Sequence, residues 1–251
     1  MSENYQTIDH DDWNNSPPKS PKSSKIVLGE INGVIPYGDS RNPLGRSATS
    51  HRIVFPYRTA ANDMKPKVGI FESAAEAGCA HEALISKDLY DLECQPLQVH
   101  FLGENRKPRQ YTHDIRLTMR SGHRRFLFIR NGASLQRRET WAEIEAIQRA
   151  TPANEAEDLY VVNADDYPRQ RRENLFRMHN FVFQPDDEAD EIVTWTARRA
   201  RGLWLVKDLY EPAGILPQRT FRAVYRLVAR QVLLTDLNSV LWENSRIELA
   251  S

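Results

Sequence analysis

Residues 109–130 read RQYTHDIRLTMRSGHRRFLFIR, two strands around a Ser121-Gly122 turn, with one acid, Asp114, set into a run that is otherwise apolar and basic. A half-buried strand keeps a lone carboxylate only where a cation, a metal or a hydrogen-bond donor meets it. A second acid lies upstream in FESAAEAGCAHEALIS, where Glu76 follows Ser73 by three residues, and the second strand ends on a cation, Arg130. Two carboxylates and a cation are enough for metal-dependent phosphodiester hydrolysis. The acids hold Mg²⁺, the ion stabilises charge building on the phosphorus oxygens, and a basic group positions the attacking water.

Such groups act together only if the fold delivers them to one place. Ser73 and Glu76 have the capping-box spacing, and Ala77, Ala80, Leu84 and Ile85 recur at helical intervals, which predicts a helix from Ala74 to Lys87. Strands are expected at Leu97–Leu102, after Gln95-Pro96, at Tyr111–Met119 and at Arg125–Arg130. A helix in ETWAEIEAIQRA, a strand at Asp158–Asn163 and a helix in PRQRRENLFRMHNFV follow. This order describes an α/β layer architecture, a mixed sheet with helices against its faces. Upstream, residues 1–25 end in NNSPPKSPKSSK, whose composition predicts a disordered tail, and residues 26–59 read as an irregular arm.

At QPDDEADE the pattern changes. Helices are expected at Glu191–Arg201, Val206–Leu209 and Arg219–Arg230, then a β-hairpin in VLLTDLNSVLWENSRIEL with its turn at Leu237-Asn238-Ser239 or at Asn244-Ser245. Three helices and a hairpin make a winged-helix module over 186–251, behind an α/β domain over 60–185. On the third helix Arg219, Arg222, Arg226 and Arg230 are spaced 3, 4 and 4 apart and share one face, opposite Phe221, Val224, Tyr225 and Val228. With no acid on that face, the arginines are candidates for DNA phosphate contact and base reading, and Asp187, Glu188, Asp190 and Glu191 are expected to lie away from the bound backbone. The alternative is an ordinary solvated face.

Composition narrows the classes. The chain of 251 residues has 34 basic and 34 acidic side chains, so a nucleic-acid partner is not advertised by overall charge. Its two cysteines, Cys79 and Cys94, form no CxxC, which argues against a disulfide framework or a structural zinc. No run approaches the roughly 18 apolar residues of a membrane span, so a soluble cytoplasmic protein is expected. Neither GEINGVIPYG nor RNPLG has phosphate-loop spacing, and ATP use is not indicated. Trp195, Trp204 and Trp242 are expected in the core of the C-terminal module. His113 is expected to face away from Asp114, and the basic run Arg169, Arg171, Arg172 and Arg177 either flanks DNA or is solvated.

From Ser73 to the C-terminus the ordered features resemble the TnsA-type endonuclease subunits of heteromeric transposases, members of the PD-(D/E)XK nuclease superfamily. Ser73 and Glu76 match the helical SxxE, Gln95-Pro96 the dipeptide that opens a strand, and Tyr111-Thr112-His113-Asp114 the strand that carries the metal-holding aspartate. LYVVNADDYPRQRRENLFRMHNF is similar to the later strand and helix. The resemblance implies a restriction-endonuclease-like sheet, a C-terminal winged helix, duplex DNA as ligand, and a DDE-type transposase and an AAA+ regulator as partners. It implies Glu76 and Asp114 as Mg²⁺ ligands, and cleavage of the non-transferred strand at transposon ends; the alternatives are a non-catalytic DNA-binding or scaffold subunit on the same fold and a regulator whose winged helix binds an operator or a protein.

The third-strand motif departs from the family. Where QxK or ExK is expected, the chain has Phe128-Ile129-Arg130. Phenylalanine ligates nothing, which leaves Glu76, Asp114 and the Ile129 carbonyl; arginine keeps the charge but does not act as a base. Glu72, Glu139 and Glu143 are the substitute acids within reach along the chain. Three readings stand open: a working metal site in which Arg130 neutralises the scissile phosphate, a nuclease relic that still grips DNA, and an ordinary capping glutamate with a strand-end aspartate.

Overall fold

The computed structural model describes residues 28–38, 52–103, 107–200 and 205–250. The proposed tail, the arm from 39 to 51, Arg201 and Trp204 lie outside them.

An antiparallel pair, β1 (Ile53–Tyr57) and β2 (Lys67–Phe71), precedes α1 (Ala74–Leu84). Phe55, Tyr57 and Phe71 are buried in one cluster with Ala77, Ala80, Leu92 and Ile115, so β1 shares the core of the α/β domain. The small residues of α1 allow close approach on several sides. A Cβ on Gly78 would stand 3.0 Å from Tyr167 Cδ1 and 3.1 Å from Arg172 Cγ, a contact that leaves no room for a larger residue where a later helix crosses.

Next come β3 (Leu89–Cys94), β4 (Gln98–Leu102), β5 (Pro108–Thr112), β6 (Ile115–Met119) and β7 (Arg124–Arg130). The four-residue α2 (Gly132–Leu135) and α3 (Arg138–Ala150) lead to β8 (Asp158–Asn163) and α4 (Arg169–Val182). The main sheet has the order β3-β6-β7-β8, antiparallel except for the parallel β7-β8 pair, which is joined through α2 and α3. Side chains of β7 alternate between two cores. Leu127 and Ile129 join the α1 side, whereas Phe128 joins Val99, Phe101, Ile144 and Ile147 beneath α3 and the β4-β5 ribbon. The expected mixed sheet flanked by helices is present.

Two strand assignments change. Leu97–Leu102 is not a strand of this sheet; it pairs with β5 in a separate ribbon, and the sheet's first strand is β3, upstream of Gln95-Pro96. The expected strand Tyr111–Met119 is two strands, broken at His113-Asp114, where the chain exchanges one partner for others. The Gln95 amide donates to the Asp114 carbonyl at 2.9 Å and the His113 amide to the Leu97 carbonyl at 2.9 Å, so backbone pairing continues through the break. Apolar alternation runs on across such a junction and hides it from a pattern search.

The C-terminal half contains α5 (Asp187–Arg199), a 3₁₀ turn at Val206–Leu209, α6 (Tyr210–Ala213) and α7 (Pro217–Ala229). The expected hairpin is reduced to the two-residue strands β9 (Leu233–Leu234) and β10 (Glu248–Leu249), paired antiparallel. Its core holds Val193, Leu209, Val224, Tyr225 and Leu241, together with Leu175 and Met178 from α4. The tryptophan expectation is corrected, because Trp195 is 58% and Trp242 is 55% exposed. Helix α5 buries Ala189, Val193, Thr196 and Ala197, and Trp195 falls off that stripe. No described helix is long and apolar enough to cross a membrane.

Candidate active site

The Asp114 carboxylate sits at the strand break with little exposure. Its Oδ2 accepts from the Tyr111 hydroxyl at 3.0 Å and more loosely from the Ile129 amide at 3.5 Å. Arg130 Nη1 lies 3.7 Å from the same oxygen. Asp114 immediately precedes β6, Arg130 ends β7 and Tyr111 reaches in from β5, so three strand ends converge. The adjacent antiparallel strands β6 and β7 make this inevitable, since Ile115 pairs with Leu127 and places Asp114 near the C-terminal end of β7.

Glu76 enters from the first turn of α1. The Ser73 hydroxyl accepts from the Glu76 amide at 3.2 Å and donates to Glu76 Oε1 at 3.0 Å. Glu76 Oε2 accepts from the Glu72 amide at 2.9 Å. Glu76 is thus turned back on its own cap and serves the exposed amides of the helix start.

The acids are also electrostatically linked. Burial raises the Glu76 carboxyl well above the usual range, and the charge on Asp114 raises it further. Burial raises Asp114 too, while Arg130 and the Tyr111 hydroxyl pull it back. Tyr111 is raised well above its ordinary value by burial and then by Asp114, and remains a neutral donor. Glu72 joins this field by raising both acids, whereas Glu143 pairs with Arg109 at 3.4 Å.

The third-strand position follows from the sheet's alternation. Phe128 is fully buried against the α3 core, and the Arg130 guanidinium lies over its ring, 4.4 Å from the centre. Arg130 Nη1 also donates to the Ile129 carbonyl at 2.7 Å. Its charge therefore rests on one carboxylate, one carbonyl and an aromatic face. As the donors stand they form no Mg²⁺ cradle: a guanidinium takes the Ile129 carbonyl, a hydroxyl and a guanidinium face Asp114 Oδ2, and Glu76 serves backbone and serine. Among the described residues, no group of three His, Cys, Asp or Glu side chains is arranged to hold a metal.

Sequence reasoning missed Tyr111 as a site residue. The signal was its spacing, three residues before Asp114 across the strand break. His113 behaves as expected: it stacks on Phe126 at 3.9 Å between ring centres, its Nε2 lies 2.9 Å from Thr151 Oγ1, and it faces away from the acids.

The arginine stripe on α7 is the largest correction. Its apolar side packs as expected, but the guanidinium face is not presented outward. Arg226 is 1% exposed, with Nε 2.8 Å from Asp190 Oδ1. Arg230 Nη1 lies 2.7 Å from Asp190 Oδ2, and Arg219 forks onto Asp186 and reaches Glu188 at 2.7 Å. Glu188 and Asp190, expected to lie apart, are partners of the stripe, together with Asp186. The reason is packing: α7 lies between α4 and α5, and its second face meets the acidic start of α5.

Arg222 remains exposed, stacked on Phe181 at 5.7 Å. Arg58, just after β1, is likewise exposed and stacked on Phe183 at 4.6 Å. Neither has a carboxylate partner among the described residues. The α4 run is largely engaged, Arg171 with Glu82 and Arg177 with Glu173.

No protein-family model matches the chain, and no curated protein is significantly similar to it.

Proposed function

We propose that this chain is a duplex-DNA-binding subunit built on a restriction-endonuclease-like domain, of the TnsA-like kind that works beside a DDE-type transposase and an AAA+ regulator. In this reading it grips DNA without cutting it on its own acids. The observation that carries the reading is the convergence of Asp114 and Arg130 at adjacent strand ends, with Glu76 delivered to the same electrostatic field from the preceding helix. A capping glutamate and a strand-end aspartate on separate surfaces would not feel each other's charge, as these two do.

The topology supports it, because a helix, three antiparallel strands, a helical crossover and a fourth parallel strand are the scaffold on which such acids sit. The donor arrangement supports the silent version, since the Ile129 carbonyl, Asp114 Oδ2 and both Glu76 oxygens already meet protein donors. The C-terminal helices with the β9-β10 pair are read as a winged-helix variant whose α7 is a central helix. Phosphate contact then falls to Arg222 and Arg58 rather than to the whole stripe.

The test is duplex retention and plasmid nicking by the purified chain, alone and with a transposase and AAA+ regulator encoded beside it, in Mg²⁺ and in Mn²⁺. Retention without nicking is expected. Failure to hold duplex DNA at low salt overturns the reading; nicking that Asp114→Asn abolishes overturns its silent version and restores a cutting subunit.

A further inference from the structure

The guanidinium of Arg130 touches two of the three donors that the sequence leaves for a metal. One hydrogen bond goes to the Ile129 carbonyl at 2.7 Å, and the same nitrogen stands 3.7 Å from Asp114 Oδ2. The rings of Phe128 and Tyr111 lie 4.4 Å and 5.7 Å from its central carbon, so the side chain is held in place from the aromatic side as well. From this arrangement we infer that Arg130 is the built-in cation of the site: it does for Asp114 and the Ile129 carbonyl what a divalent ion does elsewhere on this scaffold. The inference rests on the nuclease-fold reading proposed above.

Three physical points carry it. A buried carboxylate needs a counter-charge or donors, and here a fixed arginine and the Tyr111 hydroxyl supply both. A guanidinium presents its N–H donors in a fixed planar fork, so the counter-charge comes with directed hydrogen bonds. Mg²⁺ is held on proteins by as few as one or two carboxylates together with its own waters, so Asp114 and the Ile129 carbonyl, once free of Arg130, form a sufficient donor set. What keeps an ion out is then the arginine, more than the phenylalanine that replaces the third acid or amide.

The consequence is that removing the guanidinium opens a cation site. The experiment is Mn²⁺ binding by electron paramagnetic resonance and Mn²⁺-dependent thermal shift. The proteins are the full chain, Arg130→Gln, and Arg130→Gln combined with Asp114→Asn, with Arg130→Met as a second replacement that keeps the stem over Phe128. The wild type is expected to bind no Mn²⁺ at this site. A folded Arg130→Gln or Arg130→Met protein is expected to gain binding and a rise in melting temperature, both lost with Asp114→Asn. Wild-type binding that depends on Asp114, or no gain in a folded arginine variant, overturns the inference. Duplex retention measured on the same wild-type preparation separates the two ideas: no retention sinks the DNA reading, whereas Asp114-dependent Mn²⁺ uptake with retention intact sinks this one.

Discussion

Arg226 and Asp190 form a buried ion pair between α7 and α5, Nε to Oδ1 2.8 Å, with side chains 2% and 5% exposed. A pair so far out of water is held by its geometry, and each partner stranded alone would be an uncompensated charge. Arg226→Ala is expected to cost about 3–5 kcal/mol, read from the urea midpoint. Arg226→Met with Asp190→Leu should recover most of that loss. A single alanine variant within about 0.5 kcal/mol of the wild type, the usual range for surface sites, would show that the pair is not buried in solution.

Arg222 behaves differently, because it is exposed and, among the described residues, lies against a ring and no carboxylate. Arg222→Ala should leave the urea midpoint nearly unchanged and weaken duplex binding. The slope of log affinity against log salt should fall by about 0.9 for each lost phosphate contact, and by about twice that with Arg58→Ala added. Fluorescence anisotropy across a salt series measures it; unchanged slopes would place the phosphates elsewhere.

Tyr111→Phe removes the hydroxyl that donates to Asp114 at 3.0 Å. The buried carboxylate then lacks a donor, at a cost of about 1–3 kcal/mol. The loss should be larger at pH 8, where Asp114 is ionised, than at pH 5, and should shrink when Asp114→Asn is combined with it. Denaturation at the two pH values checks the sign.

Two buried histidines set a pH dependence. His81 and His179 lie 5.0 Å apart between ring centres, near Phe55 and Phe183, and burial lowers them from 6.5 to about 3 and about 4. Below pH 6.5 the unfolded chain binds protons that the folded chain refuses. Their contribution is therefore complete above 6.5 and lost as pH falls toward 4, by at most about 1.4 kcal/mol per pH unit for each group. His113, lowered to about 4, acts in the same direction.

Glu76 and Asp114 oppose this trend. Their raised values mean that the folded chain keeps protons the unfolded chain releases, so their contribution is complete at acid pH and lost as pH rises through the folded values. Glu76→Gln removes part of that opposition. Its stability should climb more steeply between pH 4.5 and 7 than that of the wild type, as followed by thermal melts. An equal or shallower climb would mean that Glu76 is not held protonated by burial.

Local order was legible in the chain wherever short-range chemistry decides it. The Ser73 cap and its Glu76 partner, the strand Asp158–Asn163 and the apolar side of α7 are each set by neighbours within a few residues. The strand β3 was not, because LYDLEC carries Asp91 and Glu93 where an apolar run was sought. Asp91 accepts from Thr59 at 2.9 Å and Glu93 accepts from Arg116 Nε at 2.7 Å, partners 32 and 23 residues away. The break in Tyr111–Met119 was hidden because both halves alternate alike.

By itself, then, the sequence determined which residues can carry charge, which segments are helical or extended, and that Phe128-Ile129-Arg130 offers a cation but no acid or amide. Only the tertiary structure decided where those charges go. A row of arginines on one helical face reads the same whether water, a phosphate or the start of another helix lies opposite, since helical periodicity specifies a face and not its neighbour. The same holds at the strand ends: Arg130, Asp114 and Tyr111 come within hydrogen-bond or ion-pair reach only because β5, β6 and β7 end at one level, a matter of long-range register that composition and spacing do not encode.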